Sequence, residues 1–262
     1  MVARPVTSPQ RYRGTIEYDG TDFLGYQIQA VGRTVQGELE KSLAQVTGTA
    51  IRVDGAGRTD AGVHALGQVI AFNAIWRHTL TDLHRALNAT LPHDIVVRDL
   101  KIAEDGFHPR FSALSRSYRY TIINQPWPSA LQRRYAHHVR EPLDVAAMRA
   151  ASQYLLGSHD FASFGQPPQG EITVREVTQA DWLVEGKRFI FDITANAFLY
   201  RMVRTIVGTL LQVGVGRLAP TEVEQILAAH DLTRSAAPAP AHGLCLMRVV
   251  YPGEDEAGLI QI

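Results

Sequence analysis

Gly55-Ala56-Gly57-Arg58-Thr59-Asp60-Ala61-Gly62-Val63-His64-Ala65 sets one carboxylate in a loop made for tight backbone geometry. Gly55, Gly57 and Gly62 tolerate turn conformations that a Cβ would penalise. Ala56, Thr59 and Ala61 are small and leave room for a group to approach Asp60. Arg58 stands two positions away and can neutralise an anion. The apolar run from Val69 to Phe72 reads as a buried strand. The pattern is a rigid loop that displays Asp60 beside a sheet.

Several chemistries fail here. A phosphate-binding loop needs a lysine after its second glycine, and the stretch has none. A dinucleotide fingerprint needs Gly-x-Gly-x-x-Gly; after Gly55 and Gly57 the last position is Asp60. Asp60 and His64 would need further ligands to hold a metal, and only Asp54 stands near them. The plain alternative is a glycine-rich turn in which Asp60 caps backbone amides.

The 262 residues suit one large domain or two smaller ones with ample core. No apolar stretch approaches the roughly 18 residues of a membrane span. The first ten residues, with two prolines and no apolar core, resemble neither a secretory signal nor a transit peptide and read as a frayed end. The one cysteine, Cys245, excludes an internal disulfide and fits a reducing cytoplasm. Acidic and basic residues balance at 26 each, a weak argument against nucleic acid. Of those basic residues only Lys41, Lys101 and Lys187 are lysine, so 23 are arginine. Arginine's planar fork suits phosphate and stacks on bases, although a GC-rich genome yields the same bias.

The first half reads strand, helix, strand, strand, helix, strand. Tyr12 to Tyr18 alternates; Thr34 caps a helix on Val35, Leu39, Leu43 and Val46; Ile51 to Val53 and Gly67 to Asn73 flank the Asp60 loop. Leu83, Leu87 and Leu91 mark a second helix ended by Pro92, and Ile95 to Leu100 a last strand. The second half varies the theme. A strand covers Ser115 to Ile123, with Tyr118, Tyr120 and Ile122 on one face. A helix covers Val145 to Leu156, with Asp144 as cap and Gly157 as stop. Thr173 to Val184 and Arg188 to Ala195 form a hairpin, and a long helix runs from about Ala197 to Val213. Pro220 opens a short helix, and Leu244 to Tyr251 is the closing strand. The expected fold is α+β: two related βαββαβ-like halves with mixed sheets, ferredoxin-like or RNA-recognition-like. The expected division is a flexible tail over 1–10, a first domain over 11–112 carrying the Asp60 loop, and a second over 113–262. Ala236 to Ala241, rich in alanine and proline, reads as a loop.

Gly57-Arg58-Thr59-Asp60-Ala61-Gly62-Val63-His64-Ala65 closely resembles the motif of the tRNA pseudouridine synthase A family. So do Tyr18-Asp19-Gly20 with Gly25-Tyr26-Gln27-Ile28-Gln29, and Phe107 to Ala113 with Arg116 to Tyr120. Asn196 to Arg204 and Ala239 to Leu244 also match, so the resemblance covers roughly Tyr12 to Tyr251. Three places depart from the pattern: Tyr26 takes a tryptophan position, Pro109 an alanine position, and residues 165 to 171 fit poorly. The resemblance implies the pseudouridine synthase fold. It also implies an isomerase that converts uridine to pseudouridine at positions 38, 39 and 40 of the tRNA anticodon stem-loop, as a homodimer; that reaction, with no net redox change, hydrolysis or phosphoryl transfer, requires no metal or cofactor. The resemblance places the catalytic aspartate at Asp60, its ion-pair partner at Arg204, and substrate contacts at Tyr118 and Leu244. Arg58 either supports the charge or helps extrude the base.

The residues bear on each role separately. Arg204 sits in an otherwise apolar helix, where an unpaired guanidinium would be costly, so a carboxylate partner is expected. Arg201, a turn earlier, is a weaker candidate for RNA phosphate. Tyr118 is either a packed strand aromatic or a ring against the target uracil; a base taken from its stack gains about 1–3 kcal/mol on an aromatic face. One carboxylate can attack C1′ of the ribose or C6 of the base, or remove a ribose proton. A glycosidase normally wants two. The rival from another class is a non-catalytic RNA-binding protein, against which stands the missing RNP1 pattern. A nucleoside N-glycosidase is a second rival.

Overall fold

The computed structural model describes residues 8–167 and 170–254. Residues 1–7 of the expected tail and Pro168 of the poorly matching loop lie outside them. The chain divides into two compact units: residues up to Leu114 with the segment from Leu246 on, and Ser115–Cys245.

The first unit holds β1 (Gln10–Tyr18), α1 (Val35–Thr47), β2 (Val53–Gly55), β3 (His64–Ala74), α2 (Leu80–Thr90) and β4 (Ile95–Ile102). This is the expected strand-helix alternation, with β1 already begun at Gln10, inside the expected tail. Strand β1 lies between β3 and β4, antiparallel to both. The alternation of β1 puts Tyr12, Ile16 and Tyr18 in the core. Thr34 caps α1 by accepting the Gly37 N–H, and Gly48 ends the helix in the left-handed region at φ 73°. Leu39 and Leu43 of α1 and Leu83 and Leu87 of α2 are buried, at the spacing of one helix face.

The far edge of β3 is shared. Residues Ile70 to Phe72 pair with β2, which sits two residues later than expected. Strand β10 (Leu244–Val250) also neighbours β3. Gly67 permits this approach, since a Cβ there would stand 2.3 Å from the Met247 carbonyl oxygen. That packing groups the segment from Leu246 with the first unit, whereas the sequence division put it in the second.

The second unit holds β5 (Ser115–Asn124), β6 (His137–Val139), α3 (Val145–Gln153), β7 (Gly157–Asp160), β8 (Val174–Glu185), β9 (Arg188–Ala195), α4 (Met202–Gly214) and α5 (Glu222–Ala229). Strand β5 pairs with β9, and β9 with β8, antiparallel. In the same way β1 pairs with β3 and β3 with β2, so the order recurs in both halves. Strand β6 joins β5 in parallel, which makes the sheet mixed. Asp144 caps α3 by accepting the Ala147 N–H at 3.0 Å, and Gly186 turns the β8–β9 hairpin at φ 62°. The short strands β6 and β7 were not anticipated.

Helix α4 starts at Met202, not near Ala197. Arg201 adopts φ 61° and ψ 4°, a left-handed conformation that stops a helix from running through it. The Tyr200 N–H instead donates to the Gln166 carbonyl at 2.8 Å. Met202, Ile206 and Leu210 are buried as expected. Phe198, expected on the helix, precedes it. No helix among the described residues is long and apolar enough to cross a membrane.

Candidate active site

The Asp60 loop is held at Ala56, Gly57, Thr59, Asp60 and Val63. The Ala56 N–H donates to the Val69 carbonyl at 2.8 Å. The carbonyl of Gly57 accepts from Gln68 Nε2 at 2.9 Å. The Thr59 carbonyl accepts the Tyr26 N–H at 3.1 Å, and the Val63 N–H closes a turn onto the Asp60 carbonyl at 3.1 Å. The Thr59 hydroxyl bonds the Tyr18 hydroxyl at 2.8 Å inside the core. With these backbone groups satisfied, Asp60 is half-buried and Arg58 is exposed.

The segment between β1 and α1 is the support. Gly25 adopts φ +99°, and a Cβ there would lie 2.7 Å from the Thr59 carbonyl oxygen. Gly20 passes under the other arm, where a Cβ would lie 2.0 Å from the Val63 carbonyl oxygen. These two glycines let one loop lie against the other. Tyr26 is buried, and its ring lies where a Cβ on Gly55 would be. Burial pushes the Tyr26 phenol well above its ordinary pKa, with Tyr18, Asp54 and Glu40 adding to it. The residue at the tryptophan position thus fills a core slot under the loop. Gln29 is occupied locally, donating to the Leu24 carbonyl. His64 is buried, and its Nδ1 accepts the Gly20 N–H at 3.0 Å, so this ring holds the loop.

In the second unit Tyr118 and Tyr120 share a face of β5 but differ in surroundings. Tyr120 is fully buried, its hydroxyl donates to the Pro240 carbonyl at 2.8 Å, and its ring fills the space beside Gly243. Burial drives its pKa far upward, opposed by Arg204. Tyr118 is half-buried, with the Phe198 ring edge-on at 5.1 Å. Only Tyr118 combines an aromatic face with partial exposure on that face of the strand.

Arg204 is tied to the segment that read as a low-complexity loop. Its Nε donates to the Ala239 carbonyl at 2.7 Å, and the Ala239 N–H donates to the Arg204 carbonyl at 2.9 Å. Gly208 allows the same segment to lie on α4, since a Cβ there would meet the Ala237 oxygen at 2.1 Å. The expectation of a carboxylate partner therefore has to make room for a backbone carbonyl on one of the guanidinium donors. Leu244 is buried at the start of β10, after a 3-10 turn over Ala241–Gly243. Arg201 is exposed, with its guanidinium 4.9 Å from the centre of the Tyr200 ring. Because it lies ahead of α4, it does not share a helix face with Arg204.

Sequence reasoning missed Gln68, Tyr18, Gly20 and Gly25 as supports. The usable signal was Gln68, an amide inside the apolar strand that runs to Phe72.

The family model for tRNA pseudouridine synthase matches residues 15–112 and 151–252. A tRNA pseudouridine synthase A of Bacillus subtilis (strain 168) is 44% identical over 92% of this chain and 99% of its own length. One from Roseiflexus sp. (strain RS-1) is 49% identical over 93% of this chain and 91% of its own. One from Brevibacillus brevis is 46% identical over 92% and 100%. With this match spanning both units, and with the quoted motif residues at the pinned loop, on β5 and on α4, the chain belongs to the tRNA pseudouridine synthase A family of isomerases.

Proposed function

We propose that this enzyme converts uridine to pseudouridine at positions 38, 39 and 40 of the tRNA anticodon stem-loop, with Asp60 as its one catalytic carboxylate. The observation that carries the reading is the Asp60 loop, whose backbone is tied by Gln68, Tyr26 and Val69 while Asp60 itself is only half-buried. Such preorganisation suits a group that must meet a reacting carbon in one orientation. The reaction breaks the N1–C1′ bond, turns the uracil, forms a C5–C1′ bond, and passes the C5 proton to solvent while N1 regains one. It needs no oxidant and no second substrate. Asp60 serves by attack on C1′, by attack on C6, or as a base on the ribose.

Arg204 is proposed as the ion-pair partner of Asp60 and Tyr118 as the ring that receives the extruded uracil. Leu244 packs on the substrate. Arg58, exposed two residues before Asp60, supports the charge or holds a phosphate while the nucleotide leaves its stack. The enzyme is proposed to work as a cytoplasmic homodimer, in which shape and backbone contacts select the tRNA.

The test uses purified protein and an unmodified tRNA transcript with uridine at positions 38 to 40, mapped for pseudouridine by carbodiimide-stop sequencing. The expected result is modification at those positions by the wild type and none by Asp60→Asn, which still binds the RNA. Binding without modification by either protein would leave an RNA-binding protein. Release of free uracil would make it an N-glycosidase.

A further inference from the structure

The acidic and basic residues of the chain balance, but they are not evenly spread. From Gln125 to Arg140 there is no carboxylate, while Arg133, Arg134 and Arg140 all fall in the span, with His137 and His138. Trp127 and Tyr135 lie among them. The nearest acids along the chain are Glu141 and Asp144 after the span and Asp105 before it; the β8–β9 hairpin tip that meets Asn124 carries Glu185 together with Lys187 and Arg188.

Residues 125–136 form the loop between β5 and β6, and 137–140 are β6 with the residue that follows it. The base of the loop is closed by the Gln125 N–H on the Val139 carbonyl at 3.2 Å, and by a hydrogen bond of 2.8 Å between His138 Nε2 and the Gln125 carbonyl. Asn124 Nδ2 donates to the carbonyls of Val139 and Glu141. Nearer the tip, Gln125 Nε2 donates to the Trp127 carbonyl, and the N–H groups of Tyr135 and Ala136 both reach the Gln132 carbonyl. On this fastened frame Trp127 is 77% exposed, Leu131 91% and Tyr135 52%. Arg133 and Arg140 are exposed as well.

Large apolar side chains held out on a tied loop mark a surface that another molecule covers. The charge says which kind. A segment of arginines and aromatic rings with no acid of its own matches a polyanion with π faces: guanidinium groups on phosphates, and an indole on a base or ribose. A second copy of this chain fits worse, because a two-fold contact centred here would set Arg133 and Arg140 near their own copies.

We infer that residues 125–140 form an RNA-docking platform of the second unit, which adds substrate affinity without taking part in the chemistry. The inference rests on the reading of tRNA as substrate. It is tested with the full chain, a fluorescent full-length tRNA transcript, and anisotropy titrations at several salt concentrations. Arg133→Gln with Arg140→Gln should weaken binding about tenfold and lower the slope of log affinity against log salt by about 1 to 2. Trp127→Ala should weaken binding about fivefold or more with the slope unchanged, and Trp127→Phe should restore most of it. In pseudouridine formation the loss should fall on KM, with kcat held.

Wild-type affinity and salt slope in these variants would overturn the platform. So would a loss of affinity that tracks a change in sedimentation, which would make the surface a contact between copies. If the wild type itself neither binds nor modifies tRNA, the substrate reading fails first and takes this inference with it.

Discussion

Replacing Gln68 by methionine tests whether the loop, and not merely the presence of Asp60, makes the site. Gln68 is completely buried. Its Nε2 is bonded to the Gly57 carbonyl at 2.9 Å, and its Oε1 accepts the Val69 N–H at 3.2 Å. Methionine keeps the length and bulk of the side chain but removes both polar atoms, so the Gly57 carbonyl loses this partner. Losing the bond to the half-buried Gly57 carbonyl and the side-chain acceptor of the buried Val69 N–H costs about 1–3 kcal/mol. For a chain of this size, each kcal/mol lowers the melting midpoint by about 2–4 °C, so a loss near 2 kcal/mol gives roughly 4–8 °C. Gly57 lies three residues before Asp60, and the freed carbonyl will turn toward water. A displacement on the order of 1 Å at the carboxylate lowers kcat by up to about a hundredfold. The assay is pseudouridine formation at saturating tRNA, with KM measured alongside and melting followed by circular dichroism. The expected outcome is a fall in kcat of about ten- to a hundredfold at little-changed KM. A variant that melts early yet keeps wild-type kcat would refute the reasoning, since Gln68 would then serve the core alone.

Gly25→Ala should cost about 1–3 kcal/mol in denaturant titrations, from a side chain placed at φ +99° and 2.7 Å from the Thr59 oxygen, and should lower kcat as well. Tyr18→Phe removes the partner of the Thr59 hydroxyl and should cost about 0.5–1.5 kcal/mol by the same titration. Asp144→Ala uncaps α3 and should destabilise by about 1 kcal/mol without changing kcat. His137 supplies a pH dependence: burial first, then His242 and His138, lower its pKa from 6.5 to about 4. The unfolded chain takes up a proton below about pH 6.5 that the folded state refuses down to about pH 4, so stability falls as pH drops through that window. Melting midpoints between pH 7 and 4 should fall less steeply for His137→Asn than for the wild type.

The alternation of Tyr12 to Tyr18, the Thr34 and Asp144 caps and the Gly186 hairpin were legible because each is a local device: the residue that makes the structure is the residue that is seen. What stayed hidden depends on partners distant in the chain. Arg201 gives no sign of its left-handed backbone until Tyr200 is seen bonded to Gln166. Strand β2 shifts by two residues because β3 decides its register. The Ala236 to Ala241 stretch looked featureless, yet Arg204 and Gly208 dock it onto α4 through backbone atoms that every residue possesses. At the site, Asp60 was visible as a residue and through a resemblance. The support from Gly25, Tyr26 and Gln68 was not, because it consists largely of hydrogen bonds to main-chain carbonyls, which composition does not record.

The return of the segment from Leu246 to the first unit has a consequence for how the chain is made on the ribosome. The second unit is one continuous stretch, Ser115–Cys245. The first unit cannot finish: β3 must wait for β10, more than a hundred residues downstream. At about 5–20 residues per second that wait lasts on the order of ten seconds. During it, the edge of β3 around Gly67 lacks its neighbour, the condition in which unpaired strands find wrong ones. The unit begun first is thus the unit completed last, and the Asp60 loop leads into the strand that waits.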